Sequence, residues 1–221
     1  MVTRFYLHAA TNSTSNLPTT RQSSVSVVGS PGTNGSPSIN RQMDITIGTT
    51  QTSQAQAGDG ANNIYYTRFV SALLAAQTIS ANTWTINFAF SGTSGAAPSN
   101  PRACIFVWRP GTGKVADVAD TSTGVSANAS GERVVTFTVS GSAVTAQAND
   151  VLCYEAYCDT SSAGASQSFF YDGTTVNTTY GASVTNHASF IETPQTITFP
   201  SGTVATTVTS KTVTNKIITK V

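Results

Sequence analysis

From Thr83 to Phe90 the chain alternates residue by residue, with Trp84, Ile86, Phe88 and Phe90 on one parity and Thr83, Thr85, Asn87 and Ala89 on the other. A period of two puts the first set on one face of an extended strand and the second on the opposite face. Short runs of related character recur along the chain: Arg4–His8, Ile64–Val70, Glu132–Val139, Asp150–Tyr157, Gln167–Gly173 and Ala188–Ile191. Gly, Ser and Asn clusters separate them, as turns require. Cys104 to Trp108 is nearly continuous apolar, the pattern of a central strand covered on both faces. Ser71–Gln77 is the one stretch that reads as a helical turn. No alternation of strands with helices is present, which excludes doubly wound and barrel enzyme architectures. The pattern predicts an all-β fold, a β-sandwich or jelly roll with extended N- and C-terminal arms.

Composition agrees. Charged residues make up only 10% of the 221, while Thr and Ser number 37 and 27; an average globular chain has about 25% charged residues. Thr is β-branched and suits a pleated, half-wet surface. The net charge of +1 gives no basic field for nucleic acid. Charge is unevenly placed. Residues 1–57 carry Arg4, Arg21 and Arg41 against Asp44, residues 58–192 carry five bases against nine acids, and residues 193–221 carry Lys211, Lys216 and Lys220 with no acid. No apolar run approaches the ~18 residues of a membrane span, and the first eight residues hold no apolar signal core, so an export signal is not expected. Three cysteines, Cys104, Cys153 and Cys158, are too few and too odd for a disulfide framework. They read as buried free thiols of a chain made in a reducing cytoplasm.

The domain reading has three parts. Residues 1–60 are low in apolar content and include the loop signal Gly29–Pro37 and one short strand suggested by Ile45 and Ile47; they read as an extended arm. Residues 61–195 read as the sandwich body. Residues 196–221 alternate again, with Val204, Val208, Val213, Ile217 and Ile218 among Thr and Lys, and read as a C-terminal arm able to add a strand to a sheet edge. Fixing a residue's backbone costs ~1–2 kcal/mol, and arms with few large apolar groups cannot offset that alone. The anchors expected to dock them on the body or on neighbouring chains are Phe5, Leu7, Ile197, Phe199, Ile217 and Ile218.

Candidate chemistry is sparse. His8 and His187 fit no metal-ligand spacing, no nucleophile elbow occurs, and Gly111–Lys114 lacks the full phosphate-loop spacing. No catalytic residue, cofactor or metal site is expected. Asp117, Asp120, Asp159 and Asp172 could supply oxygen ligands to a loop calcium, but they fit turn-capping positions better. Glu132 and Glu155 are the only pair to weigh as glycosidase carboxylates. Among the aromatics, Tyr171 with Asp172, at a strand end, is the exposed candidate for a glycan contact.

Five stretches carry a resemblance: Arg4-Phe5-Tyr6-Leu7 with Leu17-Pro18, Ala103–Pro110, Asn149–Leu152, Phe170–Thr174, and Ala188–Ile191. Together the chain resembles a loose class of tailed-bacteriophage virion structural proteins of decoration or fibre type. The resemblance implies a repeated, non-enzymatic copy on a virion, synthesised in the host cytoplasm. Its partners would be other virion proteins, the major capsid protein or tail proteins, and further copies of itself as a homo-oligomer, with a trimer one arrangement. Neither nucleic acid nor a membrane is an expected partner. The leading expectation is an accessory capsid decoration or cement protein; the alternative is a carbohydrate-binding host-recognition module on a tail or head fibre.

Overall fold

The computed structural model describes residues 2–24, 37–59, 63–92, 100–122, 131–159 and 163–200, which form thirteen strands and no helix. In chain order these are β1 (Arg4–Thr11), β2 (Asn40–Asp44), β3 (Thr52–Asp59), β4 (Asn63–Val70), β5 (Gln77–Ile79), β6 (Thr83–Gly92), β7 (Asn100–Arg109), β8 (Gly113–Ser122), β9 (Arg133–Ser140), β10 (Val144–Ala146), β11 (Val151–Asp159), β12 (Ala163–Tyr171) and β13 (Phe190–Glu192). Eleven of them share one continuous sheet, in the order β3-β12-β6-β13-β1-β2-β4-β11-β7-β8 with β9 on β6, and β5 and β10 form a separate ribbon. Neighbours pair antiparallel except β2 on β4, which is parallel.

The branch point is β6. One of its edges pairs with β9 from Thr83 to Phe90, and the other takes β13 at Thr85–Asn87 and then β12 at Ala89–Gly92. The sheet thus folds on itself. A layer of β9, β6, β12 and β3 faces a layer of β2, β4, β11, β7 and β8, and β13 and β1 join the two. Rings from both layers fill the space between them. Phe169 of β12 lies 4.8 Å from Phe88 of β6, 5.9 Å from Tyr66 and 6.1 Å from Phe69 of β4. All four expected residues of β6, Trp84, Ile86, Phe88 and Phe90, face this core. The chain is therefore an all-β sandwich.

The second layer is covered on its outer side as well, as the apolar run in β7 predicts. Ala103, Ile105 and Val107 face the main core, while Cys104 and Phe106 face a smaller one with Leu17, Tyr65, Val70, Val151, Cys153 and Tyr157. Strict alternation along β11 puts Cys153 in the small core and Cys158 in the main one. All three thiols are free and buried, and burial pushes those of Cys104 and Cys153 above the ordinary thiol range.

What covers the outer side is the stretch from Asn12 to Ser24, and a buried ion pair holds it there. Arg68 of β4 and Glu155 of β11 are direct cross-strand partners, 2.6 Å apart and fully buried. Arg68 also donates to the carbonyls of Pro18, Thr20 and Pro37 and to Asn40 Oδ1. Glu155 accepts from the backbone amides of Gln22 and Ser23 and from the Tyr157 hydroxyl. Further ties flank the pair: Trp108 Nε1 donates to Asn16 O, Lys114 Nζ to Gln22 O, and the backbone amide of Ser24 to Asp120. Two charges removed from water are stabilising only when every donor and acceptor is matched; the strap from Asn12 to Ser24 supplies most of the matches, and Pro37, Asn40 and Tyr157 supply the rest.

Three expectations change. The boundary at residue 60 is not structural, because β1, β2 and β3 are strands of the same sheet as the body and β1 is paired on both edges. Extended chain from this segment gains its order from the body by becoming part of it. Ile45 and Ile47 do not form the strand; β2 ends at Asp44, and both side chains are exposed in the turn that follows. Ser71–Gln77 is not a helical turn. Its backbone amides bond outward, Ser71 N to Leu152 O, Leu74 N to Asp150 O and Ala75 N to Thr198 O, so tertiary partners replace the i−4 carbonyls that a nucleus this short could not hold. The loop signal at Gly29–Ser36 and the anchors Ile217 and Ile218 lie outside the described residues.

The ion pair gives a direct test. Glu155→Gln leaves Arg68 buried without its counter-charge, a loss of about 3–5 kcal/mol for a broken buried pair, and urea unfolding measures it. Arg68→Lys is expected to cost nearly as much, because an ammonium lacks the planar fork that serves three carbonyls and a carboxylate together.

Candidate functional site

Alternation along β1 sends Phe5 and Leu7 into the core and Arg4, Tyr6 and His8 to the opposite face, where Arg4 and Tyr6 are half-buried and His8 is buried between Asp44 and Asp172. Cross-strand neighbours extend this outer row. Arg4 opposes Glu192 and Tyr6 opposes Phe190 on β13, and Tyr6 opposes Asp44 on β2. Arg4 lies 2.7 Å from Glu192 and stacks its guanidinium 4.1 Å from the centre of the Phe190 ring. Tyr6 meets the same ring edge-on at 6.0 Å. The guanidinium and the tyrosine thus brace one aromatic surface.

Beside this row lies an open, mainly apolar groove of about 570 Å³, lined by Val2, Tyr6, Ile45, Ile197 and Phe199 among others. Val2 is 49% exposed and Ile45 55%. Ile47, 39% exposed, continues the patch into an adjoining hollow of about 240 Å³ lined also by His8, Asp44, Gly48 and Asp172. Exposed aliphatic groups clustered on one face are a feature that interaction surfaces share.

The anchors Phe5, Leu7, Ile197 and Phe199 fall together here. Phe5 and Leu7 lie in the main core, Ile197 is 4% exposed, and Phe199 meets Phe5 edge-on at 6.1 Å. Residues after β13 are tied in by their backbone: Thr193 N donates to Thr3 O, Thr3 N to Gln195 O, and Ile197 N to Thr3 Oγ1. Thr198 exchanges hydrogen bonds with Ala75 and Gln77. Residues 193–198 are thereby stitched to Thr3 and to the 75–77 stretch beside the groove.

The glycan candidate does not survive. Tyr171 is fully buried, its ring 5.4 Å from Phe69 and 6.0 Å from Phe169, with the Arg41 guanidinium 5.1 Å from its centre. It is the last residue of β12, and its parity points it inward with Phe169. Asp172, in the left-handed region at φ 66°, accepts from the Ala9 amide at 3.0 Å and sits 3.0 Å from His8 Nδ1. His8 Nε2 is 3.1 Å from Asp44. The histidine therefore bridges β2 and the turn after β12. Sequence reasoning missed this trio because its members lie far apart in the chain: the pairing of β1 with β2 brings His8 to Asp44, and the bond from Asp172 N to Leu7 O brings Asp172 to both.

The other carboxylates are also occupied by protein. Asp117 pairs with Lys114 at 2.9 Å, Asp120 accepts from Ser23 and Ser24, and Glu132 accepts from Gln51. Glu155 is sealed beneath the strap. The side chain of Asp159 lies outside the described residues. Among the described residues no group of three or more His, Cys, Asp or Glu is arranged to hold a metal ion, and no helix is long and apolar enough to cross a membrane.

No protein-family model matches the chain, and no curated protein matches it. Among solved structures, the chain overlaps one described as "CBM4 structure and function" at 17% identity, over 56% of this chain and 91% of that one, with a TM-score of 0.28. It overlaps the structure of infectious bursal disease virus Gx strain at 12% identity, over 66% and 33%, with a TM-score of 0.30. The VP2 subviral particle of infectious bursal disease virus gives 11% identity and a TM-score of 0.16. Overlaps this loose carry no functional argument, so the face must be tested on its own residues. Burial alone would lower the pKa of His8, but its bonds to Asp172 and Asp44 outweigh that and raise it to about 9. His187 is buried against Asn87 Oδ1, and burial lowers its pKa to about 4. The two act in opposite directions. His8 stabilises fully below about pH 6.5, its unfolded value, and loses that contribution as pH rises through 9. His187 stabilises above about 6.5 and loses its contribution as pH falls through 4. Thermal unfolding across pH is expected to show a maximum near pH 6.5. His8→Gln should flatten the alkaline side, removing up to about 3 kcal/mol of pH dependence at about 1.4 kcal/mol per unit, and soften the acid side as well, because His8 helps hold the Asp44 carboxyl below its usual range.

Proposed function

We propose that this chain is a non-enzymatic bacteriophage virion structural protein, an accessory capsid protein of the decoration or cement kind. It is made in the host cytoplasm and docks on other virion proteins, the major capsid protein or tail proteins, through the β13–β1–β2 face. The observation that carries this reading is the groove of Val2, Tyr6, Ile45 and Phe199. Its exposed aliphatic groups offer area to bury against a partner, and a braced Arg4–Phe190–Tyr6 row keeps it rigid. The charge-poor, hydroxyl-rich composition of the chain as a whole fits a protein that lies against other proteins in a shell.

The rival glycan-binding reading, which rests on the jelly-roll pattern, on Tyr171 and on loop aromatics, loses Tyr171, which is part of the core. The carboxylates weighed for glycan cleavage, Glu132 and Glu155, are bound to Gln51 and to Arg68.

Mass spectrometry of purified particles tests the proposal. A shell role predicts copies on the order of hundreds per particle, as repeated symmetric sites require; absence from particles would sink it. Ile45→Glu places a charge on the groove rim at an exposed turn. It is expected to leave the unfolding temperature of the free protein unchanged while reducing its incorporation at least tenfold. Unaltered incorporation would remove the groove from the account.

A further inference from the structure

The turn at the rim of the groove buries no large side chain. Residues 45–48 follow the end of β2 at Asp44, and both Ile45 and Ile47 are exposed, so apolar burial does little to fix them. Polar contacts hold the turn instead. At its start, the Thr46 amide donates to Asp44 Oδ1 at 2.7 Å. At its end, Gly48 is buried against Asp172, so closely that a Cβ there would fall 2.6 Å from the aspartate's carbonyl carbon and oxygen. Further on, Gln51 exchanges hydrogen bonds with Asn186. The two carboxylates that flank residues 45–48 thus belong to different elements, Asp44 to β2 and Asp172 to the turn after β12.

His8 spans the two. Its Nδ1 lies 3.0 Å from Asp172 Oδ1 and its Nε2 3.1 Å from Asp44 Oδ1. A neutral imidazole has one N–H and one lone pair, so it serves one of these oxygens and turns its lone pair on the other; only the imidazolium donates to both. The surrounding groups leave the ring no other ionic partner. On β2, Arg41 is engaged with Ala9 O, Thr67 Oγ1 and the Tyr171 ring. The second Asp172 oxygen accepts the Ala9 amide. On β1 itself, Arg4 is paired with Glu192 of β13. His187 is turned to Asn87, and residues 45–51 hold no ionisable side chain. All three members of the trio line the open hollow beside Ile47, so the proton on the ring exchanges with solvent.

We propose that His8, as an imidazolium between Asp44 and Asp172, is the positioning residue of the groove's rim: it clamps the 45–48 turn at both ends and so holds Ile45 and Ile47 in place for a partner. When the proton leaves, one carboxylate faces a lone pair, that end of the turn is released, and the rim loosens. Bonds to Asp172 and Asp44 outweigh burial and raise the pKa of His8 to about 9, so the clamp is closed below that pH and opens as pH rises through it. The use of the rim for docking rests on the reading above; the clamp itself rests on the three side chains and the turn they flank.

NMR of the full-length protein tests the clamp. With the isoleucine methyl groups labelled and the His8 ring followed in the same samples, raising the pH is expected to move the Ile45 and Ile47 signals with the midpoint of the His8 ring, near pH 9. Ile86 and Ile105, in the core, should stay in place. At neutral pH, His8→Gln is expected to lower the backbone order parameters of residues 45–48 from a rigid value of about 0.85 toward about 0.6, again with Ile86 and Ile105 unmoved. Gly48→Ala reaches the same end by another route: it pushes the turn off Asp172, and should displace the Ile45 and Ile47 signals at neutral pH in a protein whose His8 is intact. Ile45 and Ile47 signals that ignore the His8 titration, or a turn that stays rigid in His8→Gln, overturn the proposal. So does a shift shared by Ile86 and Ile105, which marks a change of the whole fold. None of these measurements needs a particle. If the clamp behaves as expected while Ile45→Glu still enters particles unaltered, the docking reading fails and the clamp stands.

Discussion

The Arg68–Glu155 pair is the constraint from which much of the architecture follows. Two charges placed opposite one another on adjacent central strands cannot remain in a dry layer unless something satisfies their remaining hydrogen-bonding groups. The stretch from Asn12 to Ser24 does so with three kinds of group: carbonyls of Pro18 and Thr20 for the guanidinium, amides of Gln22 and Ser23 for the carboxylate, and Leu17 for the apolar surface alongside. Once that strap is laid down, β1 before it and β2 after it must lie at the side of β4. That placement sets β1 between β13 and β2 and closes the two layers into one sheet.

The same arrangement explains why the outer row of β1 became a surface of interest. With Phe5 and Leu7 turned inward, Arg4, Tyr6 and His8 turn outward by parity. Their neighbours Phe190, Glu192 and Asp44 are fixed by register, so the face is rigid, half aromatic and half charged. The turn after β2 carries Ile45 and Ile47 past the strand end, where nothing among the described residues covers them fully. A face this stiff loses little conformational freedom on docking, which favours a partner that is itself ordered.

Much of the sandwich was legible in the sequence because its signal is local. The period of two in Trp84, Ile86, Phe88 and Phe90, and the unbroken apolar run around Cys104–Val107, each report burial directly. What stayed hidden depends on partners far away in the chain. The strand Thr52–Asp59 has no apolar alternation, since its order comes from pairing with β12 rather than from burial of large groups. The same holds for β8, whose Lys and Asp residues disguise an edge strand as a loop. Glu155, which the sequence offers only as one of a pair to weigh as glycosidase carboxylates, is matched by Arg68, 87 positions away in the chain. Tyr171, followed by a turn signal, read as exposed, yet its parity with Phe169 already favoured the core. The N-terminal segment read as extended chain ordered by the body because few apolar residues are present there; the sequence did not show that Phe5, Leu7 and Met43 would each lie in the core itself.

The central claim is that the N-terminal segment is an integral part of a single sandwich, locked by a buried charge pair. Residue-resolved hydrogen exchange on the isolated full-length chain tests it most directly. The account predicts that the amides of Phe5 and Leu7 in β1, and those of Gln22 and Ser23 in the strap, are protected in the free protein to a degree comparable with β11. It also predicts that Glu155→Gln lowers protection in the strap first. Rapid exchange throughout residues 2–24, with β4, β11 and β12 still protected, would show an arm that is ordered only by other chains and would contradict the account.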